Sequence, residues 1–166
     1  DGSYLVESLV ERGYEVLAVV RRDPSSEIPN LEQVRPRIEI RQADLMDITT
    51  LASALSEFQP HEVYNFASVS FGPDAWTDPR RTVELGTIAL TALLEELRTN
   101  HPETRFFQAS SSWVFGRPAT SPQDESTKYA PAEPYGAAKA FGNHLIAAYR
   151  DHYGIFACSG ILFNHE

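Results

Sequence analysis

The sequence predicts an α/β fold in which helices cover a parallel sheet on both faces. Short apolar segments rich in valine, isoleucine and phenylalanine alternate along the chain with amphipathic segments of helical period. Their order is αβ(β)αβαβαβ, without an internal repeat or a low-complexity linker. Strands that alternate with helices form parallel sheets, which are buried on both faces. We therefore predict a single doubly wound domain over residues 1–166, a length sufficient for one hydrophobic core.

The first part of the chain follows this order as far as the third strand. Leu5 and Leu9 lie one turn apart on the first predicted helix, and Gly13 ends it. Asp47 is the predicted N-cap of the second helix, and the residues after Arg22 are predicted as a loop. The predicted helices are residues 3–12 and 48–58, and the predicted strands are residues 15–20, 38–42 and 62–67.

The rest of the chain continues the alternation. A polar loop containing glycine and proline leads to Asp78 and Pro79, the predicted N-cap and first residue of a long helix that ends near Arg98. After the next strand, a long loop with four prolines reaches Tyr135, the last of them being Pro134 at the start of the next helix. The last predicted elements are a strand at residues 105–109, a helix at residues 134–152 and a strand at residues 155–163.

Composition and charge exclude several classes of protein. The net charge is −9 with acidic residues spread along the chain, which argues against a nucleic-acid-binding surface. No apolar segment is long enough to cross a membrane, and the N-terminal residues lack the pattern of a signal peptide. The single cysteine, Cys158, excludes an intramolecular disulfide and fits a reducing compartment, so we expect a cytoplasmic protein.

Tyr135 and Lys139 form the pair on which the functional prediction depends. Residues four apart lie on one face of a helix, and an ammonium near a phenol lowers a pKa that is ordinarily about 10. Such a phenol can take a proton from a hydroxyl group near neutral pH. The chain has only two lysines, Lys128 and Lys139, so lysine is not a common surface residue here. The alternative interpretation is two unrelated residues on a solvated helix face.

Polar residues collect where the predicted strands end. Ligands of parallel α/β sheets bind at the carboxyl ends of the strands. Random surface polarity does not sort in this way, so we predict that these residues line a binding site. They are Arg21, Arg22, Asp44, Ser111 and Asn164.

Several segments resemble the extended short-chain dehydrogenase/reductase (NAD-dependent epimerase/dehydratase) family. Within that family the chain is similar to the GDP-mannose 4,6-dehydratase branch. The first and last segments are specific to this branch, whereas the Tyr-x-x-x-Lys pair is common to the superfamily. In family order along the whole chain, the segments are residues 1–5, 13–16, 20–22, 44–47, 64–65, 108–110, 134–139 and 160–166.

The resemblance implies a Rossmann-like domain that binds NADP. Arg21 and Arg22 match positions near the adenosine ribose, where arginine suits a 2′-phosphate. A solvated arginine pair at a strand end is the alternative. Asp44 and Leu45 match the adenine contact, unless Asp44 is a helix N-cap, for which Asp47 is better placed. The other positions implied to bind the cofactor are Asp1, Phe66, Ala67, Ser68, Ser70, Tyr135, Lys139 and His165.

The resemblance also implies a reaction on a nucleotide-linked sugar, with GDP-mannose as the substrate. Tyr135 matches the base that removes the C4 hydroxyl proton while hydride leaves C4. Lys139 matches the residue that anchors the nicotinamide ribose, and Ser111 matches the catalytic serine. Ser111 and Asn164 match positions that contact the substrate, and no metal site is implied. The alternative interpretation of Ser111 is an ordinary serine in a turn. The alternative interpretation of His165 is a capping or surface histidine.

Trp113 departs from the family pattern. Dehydratases of the family carry at this position a glutamate that removes the C5 proton. An indole has no lone pair for that step and donates only through its N–H. Either Asp124 or Glu125 supplies the base, or no elimination occurs and the enzyme is a sugar-nucleotide epimerase or reductase. A non-catalytic dinucleotide-binding protein is the third hypothesis.

Both ends of the chain are predicted to be truncated. Only the tail of the family's glycine-rich loop is present, as Asp1 and Gly2, so we expect the first strand and the C-terminal substrate lobe to be missing. Residues 1–166 are then a partial NADP-binding Rossmann domain that by itself binds NADP weakly and is inactive. The resemblance implies a nucleotide-sugar substrate and a homo-oligomer, with neither a nucleic acid nor a membrane as partner.

Overall fold

All strand pairs among the described residues are parallel, which confirms the predicted parallel α/β fold. The computed structural model describes residues 1–69 and 72–164, with residues 72–74 described by their backbone alone. The chain divides into two compact units, Asp1–Gln59 and Pro60–Glu166. None of the helices in the described ranges is both long and apolar enough to cross a membrane.

The elements follow the predicted order, with boundaries that differ by a few residues. The strands are β1 (Leu17–Val20), β2 (Glu39–Gln42), β3 (Glu62–Asn65), β4 (Arg105–Ser111) and β5 (Ala157–Leu162). The α-helices are α1 (Gly2–Glu11), α2 (Ile48–Phe58), α3 (Gly72–Thr77), α4 (Pro79–Glu84), α5 (Leu90–Asn100) and α6 (Pro134–Tyr153). A π-helical turn, Leu85–Ala89, joins α4 to α5, and short 3₁₀ helices cover Pro29–Leu31, Arg35–Arg37 and Ser112–Phe115.

The first unit contains a two-stranded sheet of β1 and β2. Leu17 lies opposite Glu39, and Val20 lies opposite Gln42, so both strands end at the same edge. Partly buried aliphatic side chains from both strands pack against one apolar cluster, which removes that face of the sheet from water. The buried members of the cluster are Val10, Ala18, Leu31 and Val34.

The second unit contains a three-stranded sheet in the order β3–β4–β5. The register of β4 against β3 ends with Asn65 opposite Gln108, whereas its register against β5 continues to Ser111 opposite Leu162. This longer pairing carries β4 two residues beyond its predicted end. The largest fully buried side chains of the second unit come from β4, the 3₁₀ turn that follows it, and helices α5 and α6. They are Phe106, Leu94, Ile146 and Val114.

Two aspartates are helix N-caps, as predicted. The Asp47 carboxylate accepts hydrogen bonds from the N–H groups of Thr49 and Thr50 at 3.1 and 3.4 Å, at the start of α2. The Asp78 carboxylate accepts from the N–H of Arg81 at 3.0 Å, at the start of α4. Each cap satisfies N–H groups that have no partner within the helix.

The prediction of one regular α-helix from residue 79 to about residue 98 is partly wrong. The π-helical turn Leu85–Ala89 interrupts it. There, the hydroxyls of Thr87 and Thr91 each donate, at 2.7 Å, to the carbonyl four residues earlier, which disturbs regular helical bonding. Gly86 lies so close to α6 that a Cβ on it would be 2.7 Å from the Cβ of Ala138.

The predicted loop before residue 78 is also partly wrong, because its last six residues form α3. A glycine followed by a proline normally indicates a turn. Here both stand at the start of a helix, where a proline is tolerated because the first N–H groups have no helical partner.

Candidate active site

In the first unit, the two predicted NADP-selecting arginines directly follow β1. Arg21 and Arg22 are exposed, and the Arg21 carbonyl accepts a hydrogen bond from the Gln42 side-chain amide at 3.2 Å. This bond joins the ends of the two parallel strands. The guanidinium groups therefore lie at the carboxyl edge of the sheet, where an anionic ligand can reach them.

The residues predicted to contact adenine follow β2 at the same edge. Asp44 and Leu45 are half-buried, and the Asp44 carboxylate accepts from the N–H of Met46 at 3.0 Å. Asp47, not Asp44, caps α2, which removes the alternative interpretation of Asp44 as the helix cap. Asp1 is exposed before α1, and its carbonyl accepts the N–H of Leu5.

In the second unit, the predicted site residues collect at the carboxyl edge of the three-stranded sheet. Phe66, Ala67 and Ser68 follow β3, Ser111 is the last residue of β4, and Asn164 follows β5. Because the strands are parallel neighbours, these positions lie at one edge of the sheet.

The turn after β4 lies against the first turn of α6. Ser111 Oγ accepts a hydrogen bond from the N–H of Trp113 at 3.4 Å. The Trp113 carbonyl lies so close to Gly136 that a Cβ there would be 2.4 Å from the carbonyl oxygen. Tyr135 immediately precedes this contact. The structure therefore brings the segments that carry Ser111 and Tyr135 together.

Glu133 is the N-cap of α6, a role that was not predicted from the sequence. Its carboxylate accepts from the N–H of Tyr135 at 2.9 Å and from the N–H of Gly136. The cap fixes the backbone of Tyr135 and puts a negative charge at the positive end of the helix dipole. The signal was available, because Glu133 precedes Pro134 as Asp78 precedes the proline of α4.

Lys139 lies one helical turn beyond Tyr135 and is only 8% exposed. Its Nζ donates to the carbonyl of Ala109 in β4 at 2.7 Å and lies 5.5 Å from the centre of the Tyr135 ring. Burial lowers the pKa of Lys139 to about 8, because desolvation disfavours the charged amine. The structure thus holds an ammonium beside a phenol, as the spacing predicted.

A small cavity of about 20 Å³ lies beside Lys139. Two residues that follow β3, Ala67 and Ser68, share its wall with Lys139 and with Gln108 of β4. A volume of this size has room for about one water molecule. Two residues predicted to line a cofactor therefore border the same space as the buried ammonium.

Known proteins resemble the chain over its whole length. The sequence profile of the GDP-mannose 4,6 dehydratase family matches residues 1–166. The chain belongs to this family. A GDP-mannose 4,6-dehydratase from Yersinia enterocolitica is 39% identical over 175 residues, which cover all of this chain and 47% of that protein. The chain spans about half the length of the curated relatives it matches.

Solved structures share the fold. UDP-glucose 4-epimerase from Brucella ovis, in complex with NAD, has a TM-score of 0.86 at 22% identity and covers 98% of this chain and 48% of its own. UDP-glucose 4-epimerase from Thermus thermophilus, in complex with NAD, has a TM-score of 0.83 at 26% identity. The match covers 95% of this chain and 50% of the epimerase chain. This likeness confirms the predicted Rossmann-like fold class.

Trp113, which from the sequence is expected to replace a glutamate, lies in the turn after β4. Its side chain is 43% exposed, and its backbone N–H is bonded to Ser111. Of the two alternative bases, Asp124 is exposed and accepts hydrogen bonds from the hydroxyl and N–H of Ser126, which lower the pKa of Asp124. Asp124 is thereby a weaker proton acceptor than a free aspartate, and Glu125 is exposed beside it.

Two buried side-chain amides near the site were also not predicted from the sequence. Asn65 and Gln108 stand at the paired ends of β3 and β4, and their side chains are hydrogen-bonded at 2.8 Å. An amide in an apolar strand stays buried only when its hydrogen bonds are satisfied, which was the available signal. Two predicted cofactor-binding residues, Ser70 and His165, lie outside the described residues.

Proposed function

We propose that the protein containing this chain is an NADP-dependent GDP-mannose 4,6-dehydratase. It oxidises the sugar at C4, removes water across C5 and C6, and delivers hydride to C6. The observation that carries this proposal is the match of the family profile to residues 1–166. Because the chain spans about half the length of its relatives, the activity is proposed for the protein that contains it.

Tyr135 is the proposed base of the first step and takes the proton of the C4 hydroxyl. The Lys139 ammonium, 5.5 Å from the centre of the Tyr135 ring, is proposed to assist this proton transfer through its positive charge. With a pKa of about 8, Lys139 carries its proton in most molecules at neutral pH. Ser111 is proposed to donate to the sugar O4, because its oxygen already accepts the N–H of Trp113 and its hydroxyl proton can point to a ligand.

The proposed cofactor is a nicotinamide dinucleotide at the carboxyl ends of the strands. When bound, it supplies the hydride acceptor for C4 and the hydride donor for C6. The residues present fit such a group. Among the described residues, the Lys139 ammonium is bonded to one acceptor, the Ala109 carbonyl, and an ammonium has two further N–H groups for ribose hydroxyls. The epimerase from Thermus thermophilus, which has the same fold, is in complex with NAD.

Arg21 and Arg22 support NADP rather than NAD as the cofactor. Both are exposed at the end of β1, and a guanidinium can bind a phosphate through two parallel hydrogen bonds. In this proposal Asp44 and Leu45 contact the adenine. The other residues proposed to contact the dinucleotide are Asp1, Phe66, Ala67 and Ser68.

Residues 1–166 are proposed to form part of a dinucleotide-binding domain, with Ser111 and Asn164 on the side of the sugar nucleotide. Cys158 is a free thiol, which supports a reducing, cytoplasmic location. We also propose a homo-oligomer. The exposed apolar side chains of Ile88 and Phe141 in the second unit support an interface.

Trp113 favours a second candidate, a sugar-nucleotide 4-epimerase or reductase. Oxidation at C4 needs only the hydroxyl base and its neighbours, whereas elimination also needs a base for the C5 proton. The indole cannot act as that base, and the hydrogen bonds on Asp124 weaken the nearest alternative. This candidate keeps the roles of Ser111, Tyr135 and Lys139 and omits the loss of water.

Mass spectrometry of the product separates these functions. The full-length protein is incubated with GDP-mannose and NADP, and in parallel with NADPH. Loss of one water supports the dehydratase. An isobaric product that separates from GDP-mannose on chromatography indicates an epimerase. GDP-mannose has no free carbonyl group to accept hydride, so the incubation with NADPH uses a 4-keto sugar nucleotide as substrate, and a product heavier by two hydrogens indicates a reductase. An unchanged substrate, together with calorimetric binding of NADP, would overturn the enzymatic proposal in favour of a non-catalytic dinucleotide-binding protein.

A further inference from the structure

The ladder between β3 and β4 stops one residue before Ala109. The last residues in register are Asn65 and Gln108. At the start of β4, the N–H of Arg105 donates to the carbonyl of His61, on the side of β3. Successive residues of a central parallel strand bond alternately to its two neighbours. Ala109 follows Arg105 by an even number of residues and therefore directs its carbonyl towards β3.

The ladder pattern, if continued, assigns the Ala109 carbonyl to the N–H of Ala67. In the structure, the Ala67 N–H instead donates to Asn65 Oδ1 at 3.0 Å. Asn65 Nδ2 donates to Gln108 Oε1 at 2.8 Å, and Gln108 Nε2 donates to the Ala109 carbonyl at 3.0 Å. The same carbonyl accepts Lys139 Nζ at 2.7 Å. A backbone carbonyl has two lone pairs, and these two donors use both.

We propose that Asn65 and Gln108 are positioning residues that reserve the Ala109 carbonyl for the ammonium of Lys139. The side chain of Asn65 accepts the hydrogen bond of the Ala67 N–H, which would otherwise donate to this carbonyl as the next bond of the ladder. Gln108 holds Asn65 in place and fills the second lone pair of the carbonyl with a neutral donor. The side chains of Asn65, Gln108 and Lys139 are 7%, 6% and 8% exposed, so water competes little for these bonds.

The consequence concerns the charge of Lys139. Burial disfavours the ammonium, and a hydrogen-bond acceptor offsets part of that cost. If the Ala67 N–H also bonded to the Ala109 carbonyl while Gln108 kept its bond, three donors would compete for two lone pairs, the bond to the amine would weaken, and the amine would more often be neutral. A neutral amine cannot stabilise a phenolate on Tyr135. The inference rests on the proposed function only in this last step, since the hydrogen bonds themselves do not depend on the reaction.

The test is the titration of Lys139 by NMR in the full-length protein labelled with ¹³C at the lysine Cε, with Lys139→Arg to assign the resonance. In Asn65→Leu, where Gln108 still occupies one lone pair of the Ala109 carbonyl, we expect the midpoint of Lys139 to fall by about one pH unit, a tenfold change in the protonation equilibrium. In Gln108→Met a lone pair of that carbonyl is freed, so we expect a smaller fall. Asn65→Asp keeps an oxygen for the Ala67 N–H, and we expect no decrease.

The matched control is Ser159→Ala. Ser159 lies opposite Gln108 on β5, and among the described residues its buried hydroxyl has no hydrogen-bond partner. This substitution changes a buried side chain next to Gln108 and removes none of the hydrogen bonds among Asn65, Gln108 and the Ala109 carbonyl. The midpoint of Lys139 should therefore not change. An unchanged midpoint in Asn65→Leu, with the fold intact by circular dichroism, overturns the proposal.

If those variants do not fold, a crystal structure of the unsubstituted protein decides. A hydrogen bond from the Ala67 N–H to Asn65 Oδ1 in that structure supports the proposal. A hydrogen bond from the same N–H to the Ala109 carbonyl overturns it. The titration needs no turnover. A protein that fails to convert GDP-mannose can therefore still support this inference, and the two failures are distinguishable.

Discussion

The two units of the chain present basic side chains in opposite ways. In the first unit, Arg21 and Arg22 are exposed at the end of β1. In the second, Lys139 is buried and bonded to a backbone carbonyl, and burial lowers its pKa to about 8. Arginine keeps its charge in almost any surroundings, which suits the binding of an anion, whereas the charge of a buried lysine depends on its environment. This contrast agrees with the proposed roles, in which the exposed arginines bind an anion and the buried lysine assists the chemical step.

The largest effect should come from Tyr135→Phe in the second unit. This change removes the proposed proton acceptor and keeps the ring, so we expect turnover of GDP-mannose to fall by about 100- to 10,000-fold. Binding of NADP, measured by calorimetry, should change little. A variant with parental turnover would contradict the catalytic assignment.

Lys139→Met should remove a pH dependence of stability. The unfolded chain keeps this proton up to about pH 10.4, whereas the folded chain loses it near pH 8. Between these values the unfolded state binds more protons, so the free energy of unfolding rises with pH, by at most about 3 kcal/mol. Below pH 8 both states carry the proton, and the full cost of burying the charge remains.

The measurement for this second prediction is urea unfolding of parent and variant at pH 7.5 and pH 10. Other groups titrate equally in both proteins, so the difference between parent and variant isolates Lys139. The same pH dependence in both would show that Lys139 does not titrate as a buried amine.

Gly136→Ala should destabilise the second unit by about 2 kcal/mol, because its Cβ would lie 2.4 Å from the Trp113 carbonyl oxygen. Gly2→Ala is the matched control in the first unit. A Cβ at Gly2 meets nothing within 4 Å, and alanine favours a helix over glycine. Chemical denaturation measures both. Equal losses of stability would mean that the contact between α6 and the turn after β4 is not tight.

The smallest effect should come from the exposed arginines. We expect Arg21→Ala combined with Arg22→Ala to weaken the binding of NADP about tenfold and to leave NAD binding unchanged, since only NADP carries the 2′-phosphate. Calorimetry on the full-length protein measures both affinities. Arg12→Ala, at an exposed arginine of the same unit, is the control. An equal loss for NAD and NADP would show that the pair does not select the phosphate.

Local signals in the sequence predicted the elements that depend on local interactions. The bounds of α2 agree with the prediction residue for residue, because Asp47 caps the helix and its apolar period is regular. The π-helical turn was not predicted, and one contact that the sequence does not indicate is that of Gly86 with Ala138, which is 52 residues further along the chain. The N-cap role of Glu133 was missed, although the proline after it was a usable signal.

The sequence by itself determined the alternation of strands and helices, the spacing of Tyr135 and Lys139, and the family. All of these follow from residue types at short separations. Only the tertiary structure decided that Lys139 is buried and that its partner is the carbonyl of Ala109, 30 residues away. Burial and the choice of hydrogen-bond partner depend on where neighbouring strands end and on which helix packs against the sheet. These long-range contacts set the local dielectric, and the charge of a buried amine depends on that dielectric.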